Sequence, residues 1–330
     1  MSATMAPPPP AAPSPAPAPK RRDARDSSAS WKLRDRVGLG FAWFMGLLFC
    51  AITVAIVGYM LFQGLKYVRP ELFYTQPAVS FDESKSGGFL DPLIGTFLVG
   101  LMAMGIAFPV GMGIGVWLSE FGRPFPLARA VESAVEMIAG TPSVVLALFG
   151  TIIFQSPALG FLSRDANGLV FGRSFFAAAA MLSFVALPLI VASVREGLQA
   201  IPSHVREASY AVGKTKMTTT RRILLPAAKP SVITGAMLGF GRVIGDTAII
   251  VILMGTALRL DPASGTPILG TLRGTGSTLT TYVYQNAPTG EGNQPTKAYA
   301  AAFVLLMIVL ALNFAADIFS RKGKAMRWST

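Results

Sequence analysis

Six long apolar runs dominate this chain of 330 residues, and they limit the folds that it can adopt. A helix needs about 20 apolar residues to cross the hydrocarbon core of a bilayer, where its backbone polar groups must bond within the segment. The runs are continuous rather than alternating, so the sequence predicts an all-α polytopic membrane protein and argues against a β-barrel. The six predicted transmembrane helices cover 38–62, 93–118, 132–154, 174–194, 230–256 and 298–319.

Composition narrows the classes of function. The chain is 52% hydrophobic and only 14% charged, whereas soluble domains carry about a quarter charged residues. The single cysteine, Cys50, and the single histidine, His204, leave no material for a disulfide framework, a Cys/His metal cluster or a Ser-His-Asp triad. The basic residues lie mostly between apolar runs, so we expect membrane lipid as a partner and no nucleic acid.

The first 36 residues differ from the rest of the chain. They are rich in Pro and Ala and end in a basic stretch, and the apolar run after them is long enough to span. We therefore expect 1–36 to be a disordered cytoplasmic tail and 37–330 to be the transmembrane domain. With the N-terminus inside, the inner segments carry 20 Lys and Arg, the outer loops carry 8, and one lies within a span. This asymmetry predicts that both termini are cytoplasmic.

The inner loop 195–229 contains a regularly spaced pattern. Pro202-Ser203 predicts the start of a short helix, and Gly213 predicts its end. A second short helix is expected from about Thr218 to Leu225, with Pro226 ending it. The pattern itself is Glu207-Ala208-Ser209, three residues, Gly213, nine residues, and then Ile223-Leu224-Leu225-Pro226.

This spacing resembles the signature of ABC-importer permeases, Glu-Ala-Ala, three residues, Gly, nine residues, Ile-x-Leu-Pro. Ser209 in place of the second Ala is the one departure. The resemblance implies the ABC-importer permease fold and a helix that docks into a groove of a cytoplasmic ATPase dimer and transmits its motion. From the residues alone, an amphipathic helix lying on lipid headgroups is the alternative. The coupling residues that the resemblance implies are Glu207, Ala208, Ser209, Gly213, Ile223, Leu225 and Pro226.

The chain is not expected to be an enzyme. Gly213-Lys214-Thr215 is similar to the end of a phosphate-cradling loop, but that motif requires a glycine where this chain has Ala208. We therefore expect no cofactor of its own, with ATP hydrolysed by a partner subunit.

The fifth predicted span contains two charged residues, Arg242 and Asp246. Charges at membrane depth are costly and usually mark a function. The two lie four residues apart and share a helix face with Gly235 and Gly239, which leave room for a solute or for another helix. Arg suits bidentate contact with phosphate, and Asp246 would orient it. The alternative is a structural ion pair that locks two subunits together.

The stretch Arg242-Val243-Ile244-Gly245-Asp246-Thr247-Ala248 resembles Arg-Ala-x-Gly-Glu-Thr-Ala of the phosphate-specific ABC permeases. Val243 and Asp246 depart from that pattern, and Ile249 replaces a proline that often follows. The C-terminal half is more similar to the A-type subunit. The resemblance implies a phosphate pathway that includes Arg242, Asp246 and Thr247. The partners that it implies are a C-type permease subunit, the ATPase dimer and an extracytoplasmic phosphate-binding protein, in the bacterial cytoplasmic (inner) membrane.

Pro142 should break the third predicted span. A new helix start exposes amide N–H groups that attract anions, and Thr141 and Ser143 would add hydroxyl donors. A packing kink is the alternative for this break. For the whole chain, the alternatives are a permease for another oxyanion such as molybdate or sulfate, a stand-alone ion-coupled carrier, and a membrane component that regulates transport.

Overall fold

A computed structural model describes residues 33–78, 87–122, 124–163, 169–170, 172–255, 271–288, 290 and 294–325. Most of the predicted tail, 1–32, lies outside these residues, as do the side chains of the basic C-terminal stretch. The described residues are helical apart from loops and isolated bridge residues such as Pro77 and Gly87, which pair with each other. The all-α prediction is therefore confirmed.

Eleven α-helices are numbered in chain order within these ranges, and residues 271–273 are helical as well. They are α1 (Leu33–Tyr67), α2 (Leu90–Val116), α3 (Phe125–Gly140), α4 (Ser143–Gln155), α5 (Phe175–Gln199), α6 (Ser203–Ala211), α7 (Lys216–Thr219), α8 (Leu225–Ile244), α9 (Ala248–Met254), α10 (Leu279–Asn286) and α11 (Pro295–Ala325). Wider π-helical turns extend α2 through Trp117–Phe121 and join α7 to α8 through Thr220–Leu224.

The chain divides into two units, 1–57 and 58–330. In the first unit, the described part of α1 carries exposed apolar side chains such as Phe41, Trp43 and Phe49. Apolar side chains exposed along a helix of this length suit a lipid surrounding.

In the second unit, small residues bring three long helices together. A Cβ added to Gly111 or Gly115 of α2 would overlap Ile190 or Val194 of α5. Gly235 of α8 meets α5 in the same way. Small residues allow this close approach where lipid provides no hydrophobic drive for helix association.

Five helical segments of the described chain are long and apolar enough to span a membrane: Asp35–Tyr67, Leu90–Phe121, Phe175–Gln199, Lys216–Ile244 and Pro295–Phe319. The third predicted span, 132–154, is not one straight helix. It is part of a pair, α3 and α4, bent by 105° at the break before Ser143, and it is a sixth span only if that pair crosses as one. The break predicted at Pro142 is confirmed, because its ring cannot continue the α3 ladder.

The fifth predicted span, 230–256, is also interrupted. The helix ends at Ile244, and α9 begins at Ala248 after three intervening residues. The prediction that the second short helix ends at Pro226 is wrong. The helical path continues from Lys216 to Ile244. Pro226 lies in the first turn of α8, just after the π-helical turn, where a missing N–H is tolerated.

The outer loop predicted at 257–297 contains a helix packed into the protein. Residues 256–270 lie outside the described part, but α10 follows, and its N-terminal residues Leu279 to Tyr282 are buried. The Leu279 N–H donates to Thr96 of α2 at 2.9 Å. This segment therefore contributes to the core of the second unit.

Candidate functional site

Most of the coupling-motif side chains of helix α6 are exposed on the surface of the chain. Glu207 and Ala208 are exposed, while Ser209 faces inward and is 4% exposed. The helix begins after Pro202, as the sequence predicts. An exposed carboxylate beside an exposed small residue gives a partner protein a charged contact and room for close approach.

Gly213 ends α6 in a left-handed backbone conformation, with a φ of +77°. Its N–H donates to the Tyr210 carbonyl at 2.9 Å, and the Lys214 N–H donates to the Ser209 carbonyl at 3.2 Å. A Cβ at Gly213 would meet nothing within 4 Å. The glycine is therefore required by backbone conformation and not by lack of space.

Ser209, the departure from the family pattern, forms a hydrogen bond. Its hydroxyl lies 2.8 Å from the Thr219 hydroxyl. Thr219 itself donates to the Thr215 carbonyl at 3.0 Å, so Ser209 is the donor of the pair. The bond joins α6 to α7 across the Gly213 turn, a connection that alanine cannot make.

The end of the motif lies on the helical path into α8. Ile223 and Leu225 are half-buried and Pro226 is exposed, while Leu224 between them is fully buried. Leu224 therefore packs this end of the motif into the core, while Ile223, Leu225 and Pro226 stay at least partly accessible.

Arg206 and Glu120 are site residues that the motif did not identify. Arg206 Nη2 donates to Glu120 Oε1 at 2.8 Å and to the Leu198 carbonyl at 2.9 Å, and Nη1 donates to the Ile201 carbonyl at 2.9 Å. One guanidinium thus joins α6 to the last turn of α5 and to the end of α2. The sequence signal that could have identified the pair was Glu120 itself. It is an acidic residue at the inner end of the second predicted span, on the side of the membrane where Lys and Arg are most frequent.

Arg242 and Asp246 form the ion pair that their spacing predicts. Arg242 Nη1 lies 3.3 Å from Asp246 Oδ2, and their side chains are 48% and 2% exposed. Asp246 Oδ1 also accepts the Ile249 N–H at 3.0 Å, which caps the start of α9. A buried carboxylate therefore holds one side of a guanidinium whose other side is accessible.

The break between α8 and α9 has two further polar contacts. The Thr280 hydroxyl donates to the Ile244 carbonyl at 3.2 Å, which satisfies an acceptor at the end of α8. Thr247 is exposed next to Asp246. In the described part of the chain, Arg242 makes no other hydrogen bond, so its remaining N–H groups are available to an anion.

The glycines on the Arg242 face serve helix packing rather than solute binding. An added Cβ at Gly235 would lie 2.5 Å from Ser193, and one at Gly239 would lie 3.4 Å from Ile190, both on α5. Of the two uses that the sequence left open, the structure supports close helix approach. Room for a solute at Gly235 or Gly239 is therefore not available.

Thr141 and Ser143 flank the break between α3 and α4. The Thr141 hydroxyl donates to the Met137 carbonyl at 2.7 Å, so its proton is already used. Ser143 begins α4 and is half-buried. Among the described residues, no hydrogen bond or ion pair joins either one to Arg242 or Asp246.

A further ion pair joins α3 to α5, at the end of α5 that leads to the motif. Arg195 Nη1 lies 2.6 Å from Glu132 Oε1, and both side chains are partly exposed. Glu132 is thus paired with a basic residue of α5.

Comparison with known proteins gives consistent matches. The model of the family "Binding-protein-dependent transport system inner membrane component" matches residues 107–324. The phosphate transport system permease protein PstA 1 of Mycobacterium tuberculosis (strain CDC 1551 / Oshkosh) is 31% identical, over 71% of this chain and 71% of that one. PstC of Xylella fastidiosa (strain 9a5c) is 28% identical, over 91% and 92%.

The fold has solved counterparts. A crystal structure of a bacterial ABC transporter involved in the import of the acidic polysaccharide alginate includes a chain that matches with a TM-score of 0.56. The match is 18% identical and covers 87% of this chain and 98% of that one. At this identity the likeness establishes the ABC-importer permease fold alone.

Proposed function

Because the chain belongs to the family of binding-protein-dependent transport system inner membrane components, we propose that it is the phosphate-translocating permease subunit of an ATP-driven importer. The observation that carries the choice of solute is Arg242, half-exposed at a helix break and held from one side by buried Asp246. Such a guanidinium offers an anion several donors in a fixed plane.

The relatives support phosphate as the solute. PstA 1 and PstC are both named as phosphate transport system permease proteins. The Arg242–Asp246 pair suits an anion such as phosphate, because the guanidinium can bind it. Asp246 neutralises part of the positive charge and so limits how tightly the anion is held. Thr247, exposed beside Asp246, adds a hydroxyl to this pathway.

Thr141 and Ser143 belong to the proposal in a weaker role. The break at Pro142 opens a helix start whose first amides precede the hydrogen-bond ladder of α4. We place both residues on the solute path, with Arg242 as the principal contact and Ser143 as a secondary donor to the anion. Thr141 flanks the path there, because its hydroxyl already donates to the Met137 carbonyl.

The proposed complex has four kinds of subunit. This chain would take the A-type position, supported by its 31% identity with PstA 1, and would pair with a C-type permease. A cytoplasmic ATPase dimer would dock on the 195–229 segments through exposed Glu207 and Ala208. An extracytoplasmic phosphate-binding protein would deliver the solute.

Energy would enter through the partner and not through this chain. We propose that the chain binds no cofactor and that ATP is used by the ATPase subunits, since Ala208 occupies the position where a phosphate-cradling loop needs glycine. The protein would lie in the bacterial inner membrane with both termini in the cytoplasm, as the distribution of Lys and Arg favours.

Reconstitution tests this function. The chain is purified with candidate partners, placed in proteoliposomes with the binding protein, and assayed for ATP-dependent uptake of labelled phosphate, sulfate and molybdate. Uptake of phosphate in preference to the other two supports the proposal. Preference for sulfate or molybdate changes the solute, and uptake without any ATPase partner indicates an ion-coupled carrier.

A further inference from the structure

We infer that Glu120 and Arg206 are positioning residues that transmit the movement of α6 to the membrane helices α2 and α5. This inference rests on the proposed function, in which α6 docks on an ATPase. A docked helix moves a solute path only if it is fixed to the helices that line the path. The ion pair provides that fixation in this chain.

Covalent connections alone leave α6 free to turn. It is joined to α5 by the short link from Ala200 to Pro202, and it ends at the exposed turn around Gly213. At the Gly213 joint, backbone angles change at low cost, while at the other link Pro202 fixes only one of the angles. A force applied to the exposed face of α6 would be absorbed there without a further contact.

Arg206 supplies the missing contact on the inner face of α6. Its guanidinium bonds to the Leu198 and Ile201 carbonyls at the end of α5 and to Glu120 at the end of α2. The Glu120 side chain is 4% exposed. A buried carboxylate depends on its cation partner, so the pair resists separation far more than a surface ion pair does.

Phe121, the residue after Glu120, makes a second contact with the 195–229 loop, at Lys216. The Lys216 ammonium lies 5.1 Å from the centre of the Phe121 ring, within the range of a cation–π interaction. Glu120 and Phe121 both belong to the π-helical turn of α2, a feature often found at functional sites. This turn therefore contacts the loop both before and after Gly213.

The packing beyond this turn extends towards Arg242. α2 and α5 are in contact through Gly115 and Val194 and, further along, through Gly111 and Ile190. Ile190 also lies against Gly239 of α8, three residues before Arg242. A shift of α2 and α5 together would thus reach the helix that carries the proposed anion contact.

The test uses the complete complex in proteoliposomes and measures phosphate moved per ATP hydrolysed. Glu120→Gln removes the charge at nearly constant volume. We expect the ratio to fall by about fivefold or more, at the low end of measured couplings between sites, while ATP hydrolysis continues. Arg206→Lys keeps one charge but loses the fork of donors, so an intermediate ratio is expected.

Glu132→Gln is the matched control. It removes the charge from the Glu132–Arg195 pair, which also lies between a membrane helix and α5 but, among the described hydrogen bonds and ion pairs, is not joined to α6. It should leave the ratio unchanged. An unchanged ratio in Glu120→Gln, with a wild-type complex that takes up phosphate, overturns the inference alone. A wild-type complex without ATP-dependent uptake overturns the proposed function and this inference with it.

Hydrogen exchange on the wild-type complex tests the same point without a variant that must fold. We expect an ATP analogue to change the exchange rates of residues 117–121 together with those of residues 203–211. A change confined to 203–211 would contradict the inference.

Discussion

Arg242 Nη1 lies 3.3 Å from Asp246 Oδ2, and the two side chains differ sharply in exposure, 48% against 2%. The cation is accessible, while the anion is enclosed and also caps α9 through the Ile249 N–H. A buried carboxylate therefore holds an accessible guanidinium, which is the arrangement that our proposal of an anion contact requires.

Replacing Arg242 tests that contact directly. We expect Arg242→Ala to lower phosphate uptake by about a hundredfold or more, because each charge-assisted hydrogen bond is worth about 1.5–3 kcal/mol. Uptake is measured with labelled phosphate on assembled complexes, whose subunit content should be unchanged. Arg242→Lys, which keeps the charge and loses the fork, should fall between the two. Normal uptake by Arg242→Ala would remove this residue from the mechanism.

Asp246→Asn separates the charge of the carboxylate from its capping role. The amide oxygen can still accept the Ile249 N–H, so the melting temperature should change little, while Arg242 loses its neutralising partner. We expect phosphate to be held more tightly and released more slowly, so the half-saturating concentration and the maximal rate both fall. Concentration-dependent uptake measures both quantities.

Asp246→Ala is the companion variant. It removes the cap as well, so it should lower stability by about 1 kcal/mol more than the Asn variant. Weaker phosphate binding in Asp246→Asn would show that the carboxylate does not moderate the anion site.

Much of this architecture follows from the sequence. Long apolar runs predict the membrane helices, and the ring of Pro142 predicts the break between α3 and α4. The break at Gly245–Thr247 was not predicted, because hydropathy registers only apolar content and the Asp246–Ile249 cap is a local hydrogen bond. The sequence did not decide whether Gly235 makes room for a solute or for another helix. The pattern of residues within one helix does not specify which neighbouring helix packs against a glycine.

The candidate site divides in the same way. The motif from Glu207 to Pro226 is local and is recognised by its spacing, and the Arg242–Asp246 pair is local as well. The Arg206–Glu120 pair joins residues 86 apart in sequence. Only the packing of α2 against α5, whose end leads into α6, brings them together, so a single sequence contains no spacing from which to infer the pair.

Gly213→Val tests the end of α6. The residue has a φ of +77°, a conformation that costs an ordinary L-residue about 1–2 kcal/mol and a β-branched one more. We expect α6 to change its orientation, so that ATP hydrolysis continues but less phosphate is moved per ATP. Gly213→Asn is the control, since Asn tolerates the left-handed region and should retain coupling. Equal loss in both variants would point to the side chain and not to the backbone.

Two glycines of α2 provide a matched test of helix packing. A Cβ on Gly115 would lie 2.8 Å from Val194 Cβ, whereas a Cβ on Gly113 would meet nothing within 4 Å. Gly115→Ala should therefore force α2 and α5 apart, at a cost of about 1–3 kcal/mol for overpacking. Gly113→Ala should be neutral or stabilising by up to about 1 kcal/mol, because alanine favours the helix. Thermal unfolding of each purified variant in detergent measures the difference. Equal melting temperatures would contradict the close approach of α2 and α5 on which transmission from α6 depends.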